Sequence, residues 1–179
     1  MDEIITRRLV ERFATSLDEA GLGWTADDGG GTRPSTHVVF TRRLEPWIRE
    51  WLVVVPFERY DHFRVELGAS LGSDPDVRCP DYLVFAPGGR PSAENLDART
   101  RDTMVDLYEL FGPPDPDEVL PWGFNGIVDH DTLRAPRVAP VPPELAETQL
   151  PELVRHAIDK VVRFGEPWLS ELRAATRPG

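Results

Sequence analysis

The polar residues best suited to chemistry gather in one short run, Asp129-His130-Asp131. Carboxylates and imidazole bind metal ions, and they also act as general acids and bases. Adjacent residues of an extended chain point to opposite sides, so only Asp129 and Asp131 would converge while His130 points away. A solvated turn is therefore the simpler interpretation of this run. The alternative is a small metal-dependent or acid–base hydrolase that uses Asp129, His130 or Asp131.

Two further groups offer chemically useful side chains. Cys79 follows an arginine that would favour its thiolate form, but a proline comes directly after it and no cysteine-protease motif surrounds it. His37 and His62 lie on or beside predicted strands and would meet Arg64 and Glu66 on an outer face of a sheet. Ordinary cross-strand pairing on a solvated face explains that second group without a binding site.

The run Trp122-Gly123-Phe124-Asn125-Gly126 places two large aromatic residues between glycines in an acidic, proline-rich stretch. Aromatic residues dominate the binding energy of protein interfaces, so this run favours a projecting contact surface. The alternative is that Trp122 and Phe124 pin a long loop to the core.

Composition narrows the classes of function. The chain has 31 acidic and 20 basic residues and a formal charge of −11, which argues against a nucleic acid partner. One cysteine excludes an internal disulfide framework and fits a reducing cytoplasm. The N-terminal residues lack a signal-peptide pattern, and no apolar run approaches the roughly 20 residues that span a bilayer. The sequence therefore predicts a soluble cytoplasmic protein without a membrane partner, and it calls for no cofactor.

The middle of the chain predicts an antiparallel meander. Residues 51–55 are apolar at every position, which is typical of a central strand covered on both faces. Residues 63–71 alternate apolar and polar side chains, and residues 36–41 supply a third strand. The short connections between them permit only antiparallel neighbours. With residues 82–85 as a further strand, we expect a sheet of about four strands.

Helical patterns flank this meander. Residues 3–20 repeat large apolar side chains every four positions before a glycine-rich stop, which predicts an N-terminal helix. A middle helix is predicted from Ser92, as its N-cap, to Phe111. A C-terminal helix is predicted to end near Gly165, and Pro167 is predicted to start a short final one.

These elements predict one α+β domain over residues 1–179, with the helices packed on the antiparallel sheet. Residues 112–150 form a long acidic, proline-rich segment within it. The acidic excess is concentrated there, because residues 109–152 carry nine acidic and two basic side chains.

The layout of first helix, glycine turn, meander and closing helix, ending in Phe164-Gly165-Glu166-Pro167-Trp168-Leu169, resembles small bacterial domains of unknown function. Some members of such groups act as immunity proteins, or as accessory proteins in toxin and defence gene clusters. The resemblance covers about the first 85 residues and the last 30, and it rests on pattern. It transfers no catalytic residue, and the acidic segment is longer than the connection expected in such proteins.

The sequence favours a non-enzymatic, immunity-like or inhibitor-like protein whose acidic surface binds a basic protein partner. An enzyme using the 129–131 run or His62 is the second hypothesis, and a homo-oligomeric scaffold is the third. The oligomeric state does not follow from these patterns. The predicted partner contacts lie between residues 109 and 131: Asp115, Asp117, Glu118, Trp122, Phe124, Asp129 and Asp131.

Overall fold

The described part of the chain is an α+β fold with one antiparallel sheet. A computed structural model describes residues 3–27, 37–57, 62–72, 74, 76–80, 102–111, 122–124 and 141–178. The helices are α1 (Glu3–Glu19), α2 (Pro143–Lys160) and α3 (Glu166–Ala175), with a 3-10 helix at Leu107–Phe111 and a π-helical turn at Val161–Gly165. The strands are β1 (Thr25–Ala26), β2 (Val38–Glu45), β3 (Ile48–Phe57), β4 (His62–Leu71), β5 (Asp102–Asp106) and β6 (Trp122–Gly123).

Five of the six described strands follow the order β1-β2-β3-β4-β5, and β6 pairs with the part of β4 that β5 leaves open. The predicted antiparallel meander is confirmed as β2, β3 and β4, but the expected number of about four strands was too low. Strand β2 also runs further than predicted. It continues to Glu45, so that only Pro46 and Trp47 form the loop to β3.

The prediction of a middle helix up to Phe111 was wrong for its described part. Residues Asp102–Asp106 form β5, and a short 3-10 helix follows. The strand carries β-branched Thr103 and Val105 on one face. The backbone then turns where Asp106 Oδ1 accepts a hydrogen bond from the backbone N–H of Tyr108 at 3.0 Å. The helical spacing of apolar residues in the sequence was misleading, because it extended across two elements, the strand and the short 3-10 helix that follows it. The predicted strand at residues 82–85 lies outside the described residues.

The main core lies between the sheet and the helices. Helix α1 is confirmed, and its buried side chains recur every four residues at Ile5, Leu9, Phe13 and Leu17. It ends before Gly21, whose φ of 65° favours glycine. Sheet residues on this face include Phe40, Leu52, Val54, Val65, Leu67 and Val105. The opposite face carries a smaller cluster of Trp51, Val53, Val55, Cys79 and Met104. The sheet is thus buried on both faces around β3 and β4.

Helices α2 and α3 form one continuous helical stretch, because the π-helical turn joins them with helical backbone angles at both junctions. The predicted stop near Gly165 is therefore replaced by a widened turn. Gly165 packs closely against β4. A Cβ atom on this residue would lie 2.4 Å from Leu67 Cδ1, so a larger residue here would require the Leu67 side chain to move.

The close contact between Gly165 and Leu67 predicts that the effect of replacing the glycine depends on the residue at position 67. We expect Gly165→Ala to destabilise the fold by about 1–3 kcal/mol, because the added methyl group collides with the Leu67 side chain. In a Leu67→Val background the colliding carbon is absent, so the same substitution is expected to be neutral or stabilising through its better helix propensity. Urea unfolding of the four proteins measures this coupling. An equal cost in both backgrounds would contradict the packing explanation.

Candidate functional site

Most of the predicted contact residues lie outside the part of the chain that the structure describes. These are Asp115, Asp117, Glu118, Asp129 and Asp131, and His130 of the alternative enzyme site also lies outside it. The two aromatic residues, Trp122 and Phe124, are described.

Trp122 and Phe124 lie in the main core, with exposed fractions of 0% and 3%. The Trp122 ring stacks on Phe63 of β4 with 5.8 Å between centroids, and Phe63 meets Phe13 of α1 edge-on at 5.7 Å. This is the packing expected if the two aromatics pin the surrounding segment to the core. Strand β6 therefore marks the point at which the acidic segment is fixed to the sheet.

A network of four charged side chains joins α3 to the sheet, and we name it the ionic latch: Arg42, Glu50, Glu166 and Arg173. Arg42 on β2 donates from Nε to Glu50 Oε2 at 2.6 Å and from Nη2 to Glu166 Oε2 at 2.7 Å. Arg173, near the end of α3, pairs with the other oxygen of Glu50. Two cations thus balance two anions in a site where Glu50 is fully buried.

Arg42 has two further contacts that complete its surroundings. Its Nη1 donates to the carbonyl oxygen of Leu22 at 2.7 Å, and its guanidinium carbon lies 4.2 Å from the centroid of the Trp24 ring. Three of its nitrogens therefore donate hydrogen bonds, while one face of its planar group lies against an aromatic ring. An arginine held so fully inside the fold is a structural group, so we assign the ionic latch to stability and not to catalysis.

The predicted strand at residues 36–41 ended before Arg42, and the ionic latch was not predicted. One usable signal was present, since Arg42 and Glu50 have opposite charges and flank a proline-containing turn at nearly equal distances. In the structure they are direct cross-strand partners. The other two members lie more than 100 residues further along the chain, and local patterns give no sign of them.

The ionic latch predicts a large loss of stability on truncation. We expect Arg42→Met to lower the free energy of unfolding by about 3–5 kcal/mol, because Glu166 loses its cation inside the fold and Glu50 loses one of two. Arg155→Met is a matched control, since Arg155 pairs with Glu152 on the exposed surface of α2 and should cost no more than about 1 kcal/mol. Equal losses in urea unfolding would contradict the assignment.

A second group of charges lies on the other face of the sheet, and we name it the second-face cluster: Arg64, Glu66 and Asp106. Glu66 on β4 and Asp106 on β5 are directly paired across the strands. Arg64 Nη2 lies 2.6 Å from Glu66 Oε1, and Arg64 Nε lies 4.0 Å from Asp106 Oδ2. The sequence prediction put Arg64 and Glu66 on one face, but it took that face to be solvated. Glu66 is in fact fully buried.

Burial raises the pKa of Asp106 from its ordinary value of 3.8 to about 6. Desolvation is the largest cause, and the neighbouring charges of Glu66 and Glu109 act in the same direction. The hydrogen bond from the Tyr108 backbone and the charge of Arg64 oppose the shift without cancelling it. A carboxyl group with this pKa exchanges its proton near neutral pH, which is the property required of a general acid or base.

His62, named in the enzyme hypothesis, begins β4, is fully buried and pairs with Gly123 of β6. A Cβ atom on Gly123 would lie 1.9 Å from its Nε2 atom, so the imidazole occupies the space that a side chain there would take. His37 precedes β2, two strands away from β4 in the sheet order. Among the described residues, no group of three or more His, Cys, Asp and Glu side chains has the arrangement of a metal site.

Asp106 predicts a specific dependence of stability on pH. Its folded pKa lies above its unfolded value, so the folded state loses stability as pH rises from about 4 to about 6. Asp106→Asn removes this effect while keeping an oxygen for the Tyr108 N–H. We expect the variant to exceed the parent by about 1–3 kcal/mol near pH 7.5. That advantage should shrink near pH 4.

The measurement is chemical unfolding at both pH values, with Asp18→Asn at an exposed position of α1 as the control. A difference between Asp106→Asn and the parent that is the same at the two pH values would contradict the role given to desolvation.

Comparison of the chain with protein-family models, curated proteins and solved structures finds no match in any of the three. Within the described residues, no helix has the length and apolar character that crossing a bilayer requires.

Proposed function

We propose that this protein is a non-enzymatic binding protein that uses an acidic surface to recognise a basic protein partner. An immunity protein or inhibitor of a basic toxin is the kind of protein that such a surface would suit. The observation that carries the proposal is the distribution of charge. The segment from residue 109 to residue 152 has nine acidic and two basic side chains.

The buried charged groups support this proposal, because they account for almost none of the net negative charge of the chain. The ionic latch contains two arginines and two glutamates, and the second-face cluster contains one arginine and two carboxylates. Together they carry at most one of the 11 excess negative charges. The other ten come from the rest of the chain, including exposed Glu109 and Glu144. A large excess of negative charge speeds association with a positively charged protein.

The core position of Trp122 and Phe124 gives them a supporting part in this proposal. They attach the acidic segment to β4 and α1 through the ring stack, and the acids on either side of them make the contacts with the partner. Asp115, Asp117 and Glu118 precede the anchor, and Asp129 and Asp131 follow it. An anchored segment loses less conformational entropy on binding than a free one, which favours affinity.

An acid–base enzyme is the second candidate, at residues other than the 129–131 run or His62 of the sequence hypothesis, and one observation favours it. Asp106 has its pKa raised to about 6 and lies opposite Glu66 across two strands, so two carboxyl groups of different character are adjacent. The binding proposal ranks first because Arg64 is already held between these groups. Stoichiometric metal in protein purified without chelator, or loss of a measured activity in Asp106→Asn, would reverse the ranking.

A pull-down from lysate of the host cell, eluted with increasing salt, tests the binding proposal. We expect one basic protein to be released at moderate salt, since attraction between exposed charges is screened over about 8–10 Å at physiological ionic strength. Recovery of no specific protein at any salt concentration would contradict the proposal.

Charge reversal in the acidic segment provides the sharper prediction. We expect Asp115→Lys, Asp117→Lys and Glu118→Lys together to weaken partner binding at least about 100-fold, a loss of about 3 kcal/mol. The thermal unfolding midpoint should change little. A matched control makes the same change of charge at exposed Asp18, Asp76 and Glu171. Unchanged affinity in the first variant, measured by titration calorimetry, would remove these residues from the interface.

A further inference from the structure

A groove of about 750 Å³ lies between α1 and α2, on the helical side of the fold. The ion pair of Arg8 with Glu147 lies near the starts of both helices. The groove continues along both helices. Its lining is Arg8, Glu11, Arg12, Thr15, Ser16 and Glu19 from α1, and Glu147, Leu150, Pro151, Val154 and Arg155 from α2.

One stripe of α1 forms a wall of this groove, and we name it the groove stripe: Arg12, Thr15, Ser16 and Glu19. These positions follow the spacing i, i+3, i+4 and i+7, so all four side chains share one face of the helix. The two middle residues are small, which permits another helix to come close. The Thr15 hydroxyl already donates to the carbonyl oxygen of Glu11 at 2.9 Å, so covering it leaves no polar group unsatisfied.

The two ends of the groove stripe carry opposite charges. The other arginines that line the groove are engaged, Arg8 with Glu147 and Arg155 with Glu152. Arg12 and Glu19 differ from them, because neither forms an ion pair in the part of the chain that the structure describes. Both side chains are exposed.

We propose that this groove is the contact surface for a second copy of the same chain. The two α1 helices would cross antiparallel, with a two-fold axis passing between Thr15 and Ser16. Arg12 and Glu19 are equally distant in sequence from that point, so Arg12 of one copy meets Glu19 of the partner subunit. The symmetry repeats the same ion pair on the other side of the axis.

Self-recognition explains the pattern better than a partner of one charge sign. A basic ligand would satisfy Glu19 and be repelled by Arg12, and an acidic ligand would do the reverse. A stripe with a cation, two small residues and an anion is complementary to its own antiparallel copy at all four positions. The groove stripe lies on α1, whereas the proposed contacts with the basic partner lie between residues 109 and 131, so the two proposed contact surfaces share no residue.

Variants with exchanged charges test this contact, and sedimentation equilibrium over a range of concentrations measures how strongly each of them dimerises. We expect the parent chain to form a dimer, and we expect Arg12→Glu and Glu19→Arg each to raise the dimer dissociation constant at least about tenfold, because each creates two like-charge pairs. An equimolar mixture of the two variants should form a heterodimer, in which both pairs again have opposite signs. The double variant Arg12→Glu/Glu19→Arg should form a homodimer for the same reason.

Arg163→Glu is the control, since Arg163 is exposed in the π-helical turn and its partner is Asp159. It should dimerise as the parent does, and circular dichroism confirms that each variant is folded. Three results would overturn the proposal: a parent chain that stays monomeric at every concentration, a dimer that Arg12→Glu does not weaken, or a loss of dimer that the mixed and double variants do not restore.

Discussion

The buried contact between Arg42 and Glu50 is the interaction on which the arrangement of this fold depends. Removing two charges from water costs several kcal/mol for each ion, and one Coulombic pair seldom offsets that cost. Here the guanidinium has Glu50, Glu166 and the Leu22 carbonyl as acceptors and the Trp24 ring against its face. Each acceptor belongs to a different element, so the ions are satisfied only when β2, β3, α3 and the loop after α1 are all in place. This requirement selects one position for the C-terminal helix.

The glycine in the π-helical turn works together with the ionic latch. Gly165 lets the helix lie directly on Leu67, and the next residue, Glu166, reaches Arg42. A straight α-helix would change the angular position of every later residue, whereas the widened turn lets Glu166 and Arg173 face the same pair on the sheet. Packing of the helix and placement of its charges thus depend on one local irregularity.

Periodicity predicted the parts of the fold that local sequence controls. Helix α1 follows a period of 3.6 residues, and its buried side chains are the ones that this pattern selects. The apolar run at residues 51–55 located β3, and alternation located β4, although β4 is buried on both faces. Strand β5 was predicted as helix because Met104 and Leu107 belong to different elements that happen to be three residues apart. The ionic latch was missed because the sequence distance from Arg42 to Glu166 exceeds any local window. The burial of Glu66 was missed because alternation identifies a second face but does not show whether that face is covered.

The ionic latch and the acidic segment suggest a division between stability and recognition. The helical face of the sheet contains most of the core and the ionic latch, in which two arginines balance two glutamates. The acidic segment joins the sheet at β6, where Trp122 stacks on Phe63, and it carries much of the negative charge of the chain. A stable scaffold with a fixed attachment point for an acidic surface is what electrostatic recognition of a basic protein requires.

The salt dependence of partner affinity is the most direct test of this account. Titration calorimetry with the purified basic partner would measure the dissociation constant at several salt concentrations. The account predicts that affinity falls at least about tenfold between roughly 50 and 300 mM salt, because screening weakens attraction between exposed opposite charges. An affinity that does not change over this range would show that the acidic surface does not drive recognition, and it would contradict the account.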